Sequence, residues 1–256
     1  MSPVMPINSL ESEHYLLEVK LKRDRVPSFD QYPFSLPVIR NLHSLELHPK
    51  ITFIIGENGS GKSTLLEAIA VAWGFNPEGG SKNFRFSTRR SHSELHEYLT
   101  LVKGIKRPRD GYFLRAESFF NLATEIENLD KEPGGPPIIR AYGGKYLHEQ
   151  SHGESFFALF NNRLQGDGLY LFDEPESAVS PTRQLAMISQ LHQLARKNSQ
   201  FIIASHSPLL ISYPESYIYQ IDGDRVDLVK YEETEHYQVT KSFITNPERY
   251  LASLMS

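Results

Sequence analysis

Apolar residues in this chain gather in short runs, and the spacing within each run predicts an element. His14 to Lys22 alternates, with Tyr15, Leu17, Val19 and Leu21 on one side, which is the period of a strand buried on one face in an antiparallel setting. Three other runs are continuous: Ile51-Thr52-Phe53-Ile54-Ile55, Gly168-Leu169-Tyr170-Leu171-Phe172 and Phe201-Ile202-Ile203-Ala204. Unbroken apolar runs of this length predict strands buried on both faces, and Gly111 to Ala116 predicts one more. Helical spacing appears in Leu65, Leu66, Ala68, Ile69 and Val71, in Phe119 to Leu129, in Phe156 to Leu164, and in Leu185, Ile188 and Leu191 behind the Ser180-Pro181 start. Pro133-Gly134-Gly135-Pro136-Pro137 stops the second of these. A short helix is expected over 93–102, and Asn246-Pro247-Glu248 should start a last one that docks on the domain. The predicted fold is α/β, a mainly parallel sheet flanked by helices with an antiparallel N-terminal portion.

At 256 residues the pattern suits one domain, with 1–13 as a loose terminus and 76–110 as a polar, basic insertion. Hydrophobic residues make up 39% and charged residues 23%, which excludes a disordered chain. The absence of cysteine excludes disulfides, thiolate metal sites and a cysteine nucleophile. No apolar run reaches the roughly 20 residues that cross a bilayer, and the start lacks a basic region followed by an apolar core, so a cytoplasmic location is expected. The net charge of −4 is uneven: nine Lys or Arg face three acids between Ser81 and Arg115, a local +6. That patch fits a solvated face, or contact with nucleic acid or another acidic partner.

Candidate chemistry starts at Gly56-Glu57-Asn58-Gly59-Ser60-Gly61-Lys62-Ser63-Thr64, which fits the phosphate-loop (P-loop) pattern G-x-x-x-x-G-K-[ST] between a predicted strand and a predicted helix. The glycines let successive backbone N–H groups face phosphate oxygens, and the helix start adds its positive end. Lys62 would reach the β- and γ-phosphates, and the Ser63 hydroxyl would take a position on Mg2+. Asp173 and Glu174 end a buried-type strand, so Asp173 is read as a second metal-holding group and Glu174 as the general base that polarises water. His206 ends the next such strand and is read as a contact to the γ-phosphate or the attacking water. Ser151, Gly153 and Glu154 open a helix and form a second anion site, or a plain capping box. Tyr32 or Phe34 could stack on a base or belong to the core. Glu232, Glu233, Glu235 and His236 could form a metal cluster but read better as a solvated acidic stretch.

The order of phosphate loop, Ser151-His152-Gly153-Glu154 helix start, Asp173-Glu174 and His206 resembles the ABC-type ATPases over residues 51–206. Arg115 to Asn121 and Tyr231 to Tyr237 are similar, more narrowly, to stand-alone bacterial ATPases labelled AAA-family or ABC-type. The resemblance implies a P-loop ATPase head with ATP and Mg2+ as cofactors. It also implies a homodimer in which Ser151, Gly153 and Glu154 bind the γ-phosphate held by the other subunit. His152 and Glu154 stand where the family has glycine and glutamine, and Ser180 where it has an Asp. The family's metal-contacting glutamine is absent, and Glu117 is the nearest substitute. The 88 residues between Lys62 and Ser151 leave no room for long coiled-coil arms. The expected function is hydrolysis of Mg-ATP by a dimerising ATPase that drives a conformational change in a partner. The alternatives are a nucleotide-binding subunit of a membrane transporter and a nucleic-acid-associated ATPase. A small-molecule kinase has no need of Glu174 or the Ser151 helix start, and a non-hydrolysing switch has no need of Glu174 and His206 together.

Overall fold

The computed structural model of the chain describes residues 14–81, 93–131, 137–149 and 152–255. In chain order its first half runs β1 (Leu16–Leu21), α1 (Pro37–Arg40), β2 (Ser44–Glu46), β3 (Ile51–Gly56), α2 (Lys62–Trp73), β4 (Leu99–Lys103), β5 (Asp110–Arg115) and α3 (Phe119–Lys131). The second half runs α4 (His152–Ala158), β6 (Gly168–Asp173), α5 (Pro181–Arg196), β7 (Gln200–Ala204), β8 (Tyr217–Asp222), β9 (Arg225–Val229), α6 (Glu235–Thr245) and α7 (Pro247–Leu254).

The continuous apolar runs become β3, β6 and β7, in a six-stranded sheet of order β5-β6-β7-β3-β8-β9. The first five strands in that order are parallel, and β9 returns antiparallel on β8. Every residue of β3, β6 and β7 is buried, as strands covered on both faces must be. Phe53, Tyr112, Phe172 and Ile203 pack with Ile126 of α3, Phe156 of α4 and Leu191 of α5. Ile54, Phe113, Leu171 and Ile202 pack with α2. The antiparallel sheet β2-β1-β4 adds Val19, Leu45 and Leu99 to that second cluster, so α2 is buried nearly all round, as its apolar content requires.

Gln200, on β7, is 1% exposed and joins the two sheets. Its Oε1 accepts from the backbone N–H of Tyr15 at 3.1 Å and of Leu16 at 2.9 Å, and its Nε2 donates to Leu16 O at 2.7 Å and His48 O at 3.1 Å. The pairing of β1 with β4 shifts register between Leu16 and Glu18, the mark of a bulge. Leu16 is therefore buried along with the alternating Tyr15, Leu17, Val19 and Leu21.

Two expectations about elements fail. The helix expected over 93–102 is a single 3-10 turn, Glu94–Tyr98, followed by β4, because Leu95 and Leu99 are drawn into the α2 cluster and β1 offers an open edge. The helix begun by Asn246 forms as α7, with Asn246 Oδ1 accepting from Arg249 N at 3.3 Å, but it does not dock. Neither α6 nor α7 has a buried residue, and Leu254 and Met255 are exposed. Among the described residues no helix is long and apolar enough to cross a membrane.

Replacing Gln200 with Leu keeps the volume and strips four backbone groups of a partner, three of them in buried bonds and His48 O in a part-buried one. Each orphaned group costs about 1–3 kcal/mol when water cannot reach it. The Gln200→Leu protein should therefore melt several degrees lower than the wild type, measured by calorimetry. An unchanged melting temperature would show that β1 is held by its strand pairing alone.

Candidate functional site

Backbone strain at the end of β3 makes the loop. Gly61 has φ of +95°, and a Cβ there would sit 2.9 Å from Val38 Cγ1 of α1. A Cβ on Gly56 would sit 2.8 Å from Ile221 O. Only glycine fits both places. α1 also ties itself to the loop, with Val38 N donating to Ser60 O at 3.2 Å.

Lys62, 4% exposed, curls back so that Nζ donates to Gly56 O at 2.9 Å, Glu57 O at 2.8 Å and Ser60 Oγ at 3.4 Å. Burial lowers its pKa, opposed by the negative charges of Glu174, Asp173 and Glu176. Ser63, one residue on, donates from Oγ to Asp173 Oδ1 at 2.8 Å, joining the start of α2 to the end of β6. Asp173 is 5% exposed. Burial raises its pKa to about 6 against the opposing Ser63 hydrogen bond and Arg115 charge.

Arg115, at the end of β5, is the neighbouring cation. Its Nη1 pairs with Glu67 of α2 at 2.6 Å, and its Nε lies 3.7 Å from Asp173 Oδ2. That Nε is buried with no hydrogen-bond partner, so it acts on Asp173 through charge. Sequence reasoning placed Arg115 in a motif without giving it this role, since only the β5–β6 pairing sets Arg115 opposite Asp173.

Glu174 follows with φ of +50° and ψ of +53°, a left-handed conformation that is costly for a residue other than glycine. Three hydrogen bonds hold it: Glu174 N to Ala204 O at 3.0 Å, and Ser177 N and Oγ to Glu174 O at 3.1 and 2.8 Å. Glu174 Oε1 stands 3.4 Å from His206 Nε2, an ion-pair distance without hydrogen-bond alignment. Burial and the Lys62 charge lower the His206 pKa while Glu174 opposes them. At neutral pH the imidazole is therefore neutral.

Glu176 has no role in the sequence pattern. Its Oε1 accepts from Ser205 Oγ at 3.0 Å and from the His206 backbone N–H, and burial raises its pKa. It braces the end of β7 against the turn after β6. Nothing in the local pattern marks it, because the contact exists only once β6 and β7 lie side by side.

The remaining expected residues are placed as follows. Asn58 and Glu57 line a cavity of about 550 Å3 together with Gly56 and His206, and α6 closes its other side through His236 and Val239. Gly59, Ser60 and Thr64 lie in the loop and the first turn of α2. Ser151 lies outside the described residues. Gly153 is buried on α4, where a Cβ would meet the Arg183 guanidinium, and Glu154 is exposed. Neither is among the residues that line the cavity of their own chain. Glu117 has a side chain 87% exposed and 3.6 Å from Arg115 Nη2, and its charge reaches Asp173, whose pKa it helps burial to raise. Phe34 is buried edge-on to Tyr98 while Tyr32 is exposed. Among the described residues no group of three or more His, Cys, Asp or Glu could hold a metal, so the 232–236 acids form no such cluster.

Comparison with known proteins agrees with this geometry. Residues 29–134 match a family described as "AAA domain", and residues 147–212 one described as "AAA domain, putative AbiEii toxin, Type IV TA system". The chain is 26% identical over 190 residues to the L-cystine transport system ATP-binding protein TcyN of Escherichia coli, covering 64% of this chain and 74% of that protein. It is 28% identical over 172 residues to ABC transporter G family member STR2 of Medicago truncatula, but those residues take in 62% of this chain and only 24% of the transporter. A stretch of 73 residues is 44% identical to the DNA replication and repair protein RecF of Colwellia psychrerythraea, covering 28% of this chain and 18% of RecF. With the phosphate loop, Asp173-Glu174 and His206 assembled at one end of a parallel sheet, these matches identify the chain as an AAA/ABC-type P-loop ATPase domain.

Proposed function

We propose that this domain hydrolyses Mg-ATP and that two copies close around the nucleotide to drive a change of shape in a partner. The observation that carries the reading is the Ser63–Asp173 hydrogen bond, which sets two hard oxygen donors side by side at the mouth of the loop that holds Lys62. Mg2+ takes such oxygen ligands together with phosphate oxygens and water, so a pair of protein donors fits it better than a closed cage would. When bound, it supplies charge neutralisation at the β- and γ-phosphates.

The chain's own groups do the rest. Lys62 exchanges the carbonyls of Gly56 and Glu57 for phosphate oxygens and balances their charge. Glu174 accepts a proton from the attacking water, and the bonds that hold its left-handed backbone keep the carboxylate beside His206. His206, a neutral imidazole lining the cavity, is assigned to hydrogen-bond that water or the terminal phosphate. Gly153 and Glu154 are assigned, with Ser151, to the nucleotide of a second copy, a surface for which Glu154 is exposed. A transport-type partner is the second reading, favoured by the match to TcyN along most of that protein. The basic patch and the short match to RecF are the support for a nucleic-acid partner.

Glu174→Gln should lower steady-state hydrolysis by roughly a hundredfold to ten-thousandfold, measured by phosphate release, and leave ATP binding in place. By light scattering, the same variant should double in mass with Mg-ATP, and Ser151→Arg should prevent the doubling. A protein that binds ATP and stays monomeric at high concentration would overturn the dimer.

Asp173→Asn separates stability from metal binding. A carboxyl whose folded pKa, about 6, lies above its ordinary value of 3.8 costs stability in full above pH 6, and that cost fades as the pH falls from the folded value to the unfolded one. The nucleotide-free Asn variant should therefore melt higher than the wild type at pH 8, with the gain fading as the pH falls through 6. Mg2+ should no longer tighten its ATP binding in calorimetric titrations. Tightening by Mg2+ equal to that of the wild type would remove Asp173 from the metal site.

A further inference from the structure

The helix α6 reaches the phosphate loop from the far end of the chain, and its first turn is fixed there. Thr234 is fully buried and caps the helix by accepting from Tyr237 N at 3.2 Å. Glu235 N donates to Gln220 Oε1 of β8 at 3.2 Å. Tyr231 OH donates at 2.9 Å to Pro208 O, two residues past His206. The turn before α6 is thus fastened to the segment that carries His206, while the rest of α6 and all of α7 lie on the surface.

His236 sits on that fixed turn. It lines the same cavity as Gly56, Glu57, Asn58 and His206, and its ring centroid is 5.9 Å from that of His206. Its Nδ1 is shielded from water and has no hydrogen-bond partner. Burial lowers its pKa first, with the neighbouring His206 and Lys62 disfavouring a second positive charge, which leaves a neutral ring with one N–H to give. Lys62 and His206, whose electrostatic influence reaches His236, belong to the reacting end of the nucleotide in the reading above, whereas a base would lie beyond the far end of the phosphates.

We propose that His236 donates a hydrogen bond to the terminal phosphate of the bound nucleoside triphosphate, so that α6 closes the site within its own chain and registers whether that phosphate is present. This rests on the reading of the Lys62 loop as the triphosphate site. The relation of His236 to His206 is not visible in the sequence, where 30 residues and a hairpin separate the two.

The test is calorimetric titration of the Glu174→Gln protein, which holds ATP intact, with Mg-ATP and with Mg-ADP. Adding His236→Ala should weaken ATP about tenfold, the size expected for a hydrogen bond to a charged group, and change ADP by less than about twofold. His236→Gln, which keeps an N–H donor, should recover part of the ATP affinity. If the Ala variant folds poorly, hydrogen exchange on the His236-intact protein reads the same contact, and residues 235–245 should be protected by ATP and not by ADP. Equal losses for ATP and ADP would assign His236 to the base or sugar and overturn the proposal, as would no loss at all or equal protection. Lys62→Ala is the control for the reading beneath it: if that variant binds both nucleotides as the wild type does, the phosphate site itself is wrong and the proposal falls with it.

Discussion

Lys62 and Asp173 are charged groups held almost out of water at the end of an apolar sheet, and the surrounding structure is arranged to make that tolerable. A buried charge persists only when it is paired and hydrogen-bonded. Lys62 is met by two carbonyls of its own loop, and Asp173 by the Ser63 hydroxyl with the Arg115 charge behind it. Arg115 is in turn fixed by Glu67, one turn along α2 from Ser63. These contacts join α2, β5 and β6 at a single point, so the groups that meet the nucleotide are positioned by the packing of the core. Burial also leaves both groups unsettled, with Asp173 tending to hold a proton and Lys62 to lose one. The metal and phosphate chain of the proposed function would supply the charges that settle them.

The position of α2 follows from the same need. A helix that must present a lysine and a serine from a rigid first turn is better held when its remaining faces are packed, and here one sheet lies on each side of it. Gln200 closes this arrangement by satisfying the backbone of β1 from within β7. Strained backbone touches the candidate site in two places, the glycines of the loop and the left-handed backbone of Glu174, while Asp167, Asn198 and Glu215 carry positive φ elsewhere. The second is braced by Ser177 and by the end of β7, where Glu176 also binds, so movement of the His206 strand end would be felt at Glu174, the proposed general base. The chain from Ser205 through Ser207 to Gln184 carries the same contact into α5.

Where the sequence was enough, the information was local. Continuous apolar runs produced β3, β6 and β7, alternation produced β1, and the spacing of glycines, Lys62 and Ser63 defined the loop, since each pattern is set by backbone geometry within a few residues. Local pattern misled at 93–102, where helical spacing yielded to the open edge of β1, and at α7, which formed at its cap but found no apolar surface to cover it. What the tertiary structure alone decided was which strand ends became neighbours. Arg115 beside Asp173, Glu176 under His206, Gln200 against β1 and His236 over the loop are each fixed by sheet order and by the path of the chain after β9. No periodicity records those distances. They arise from the crossovers that bring residues more than a hundred positions apart, such as Ser63 and Asp173, within a single hydrogen bond.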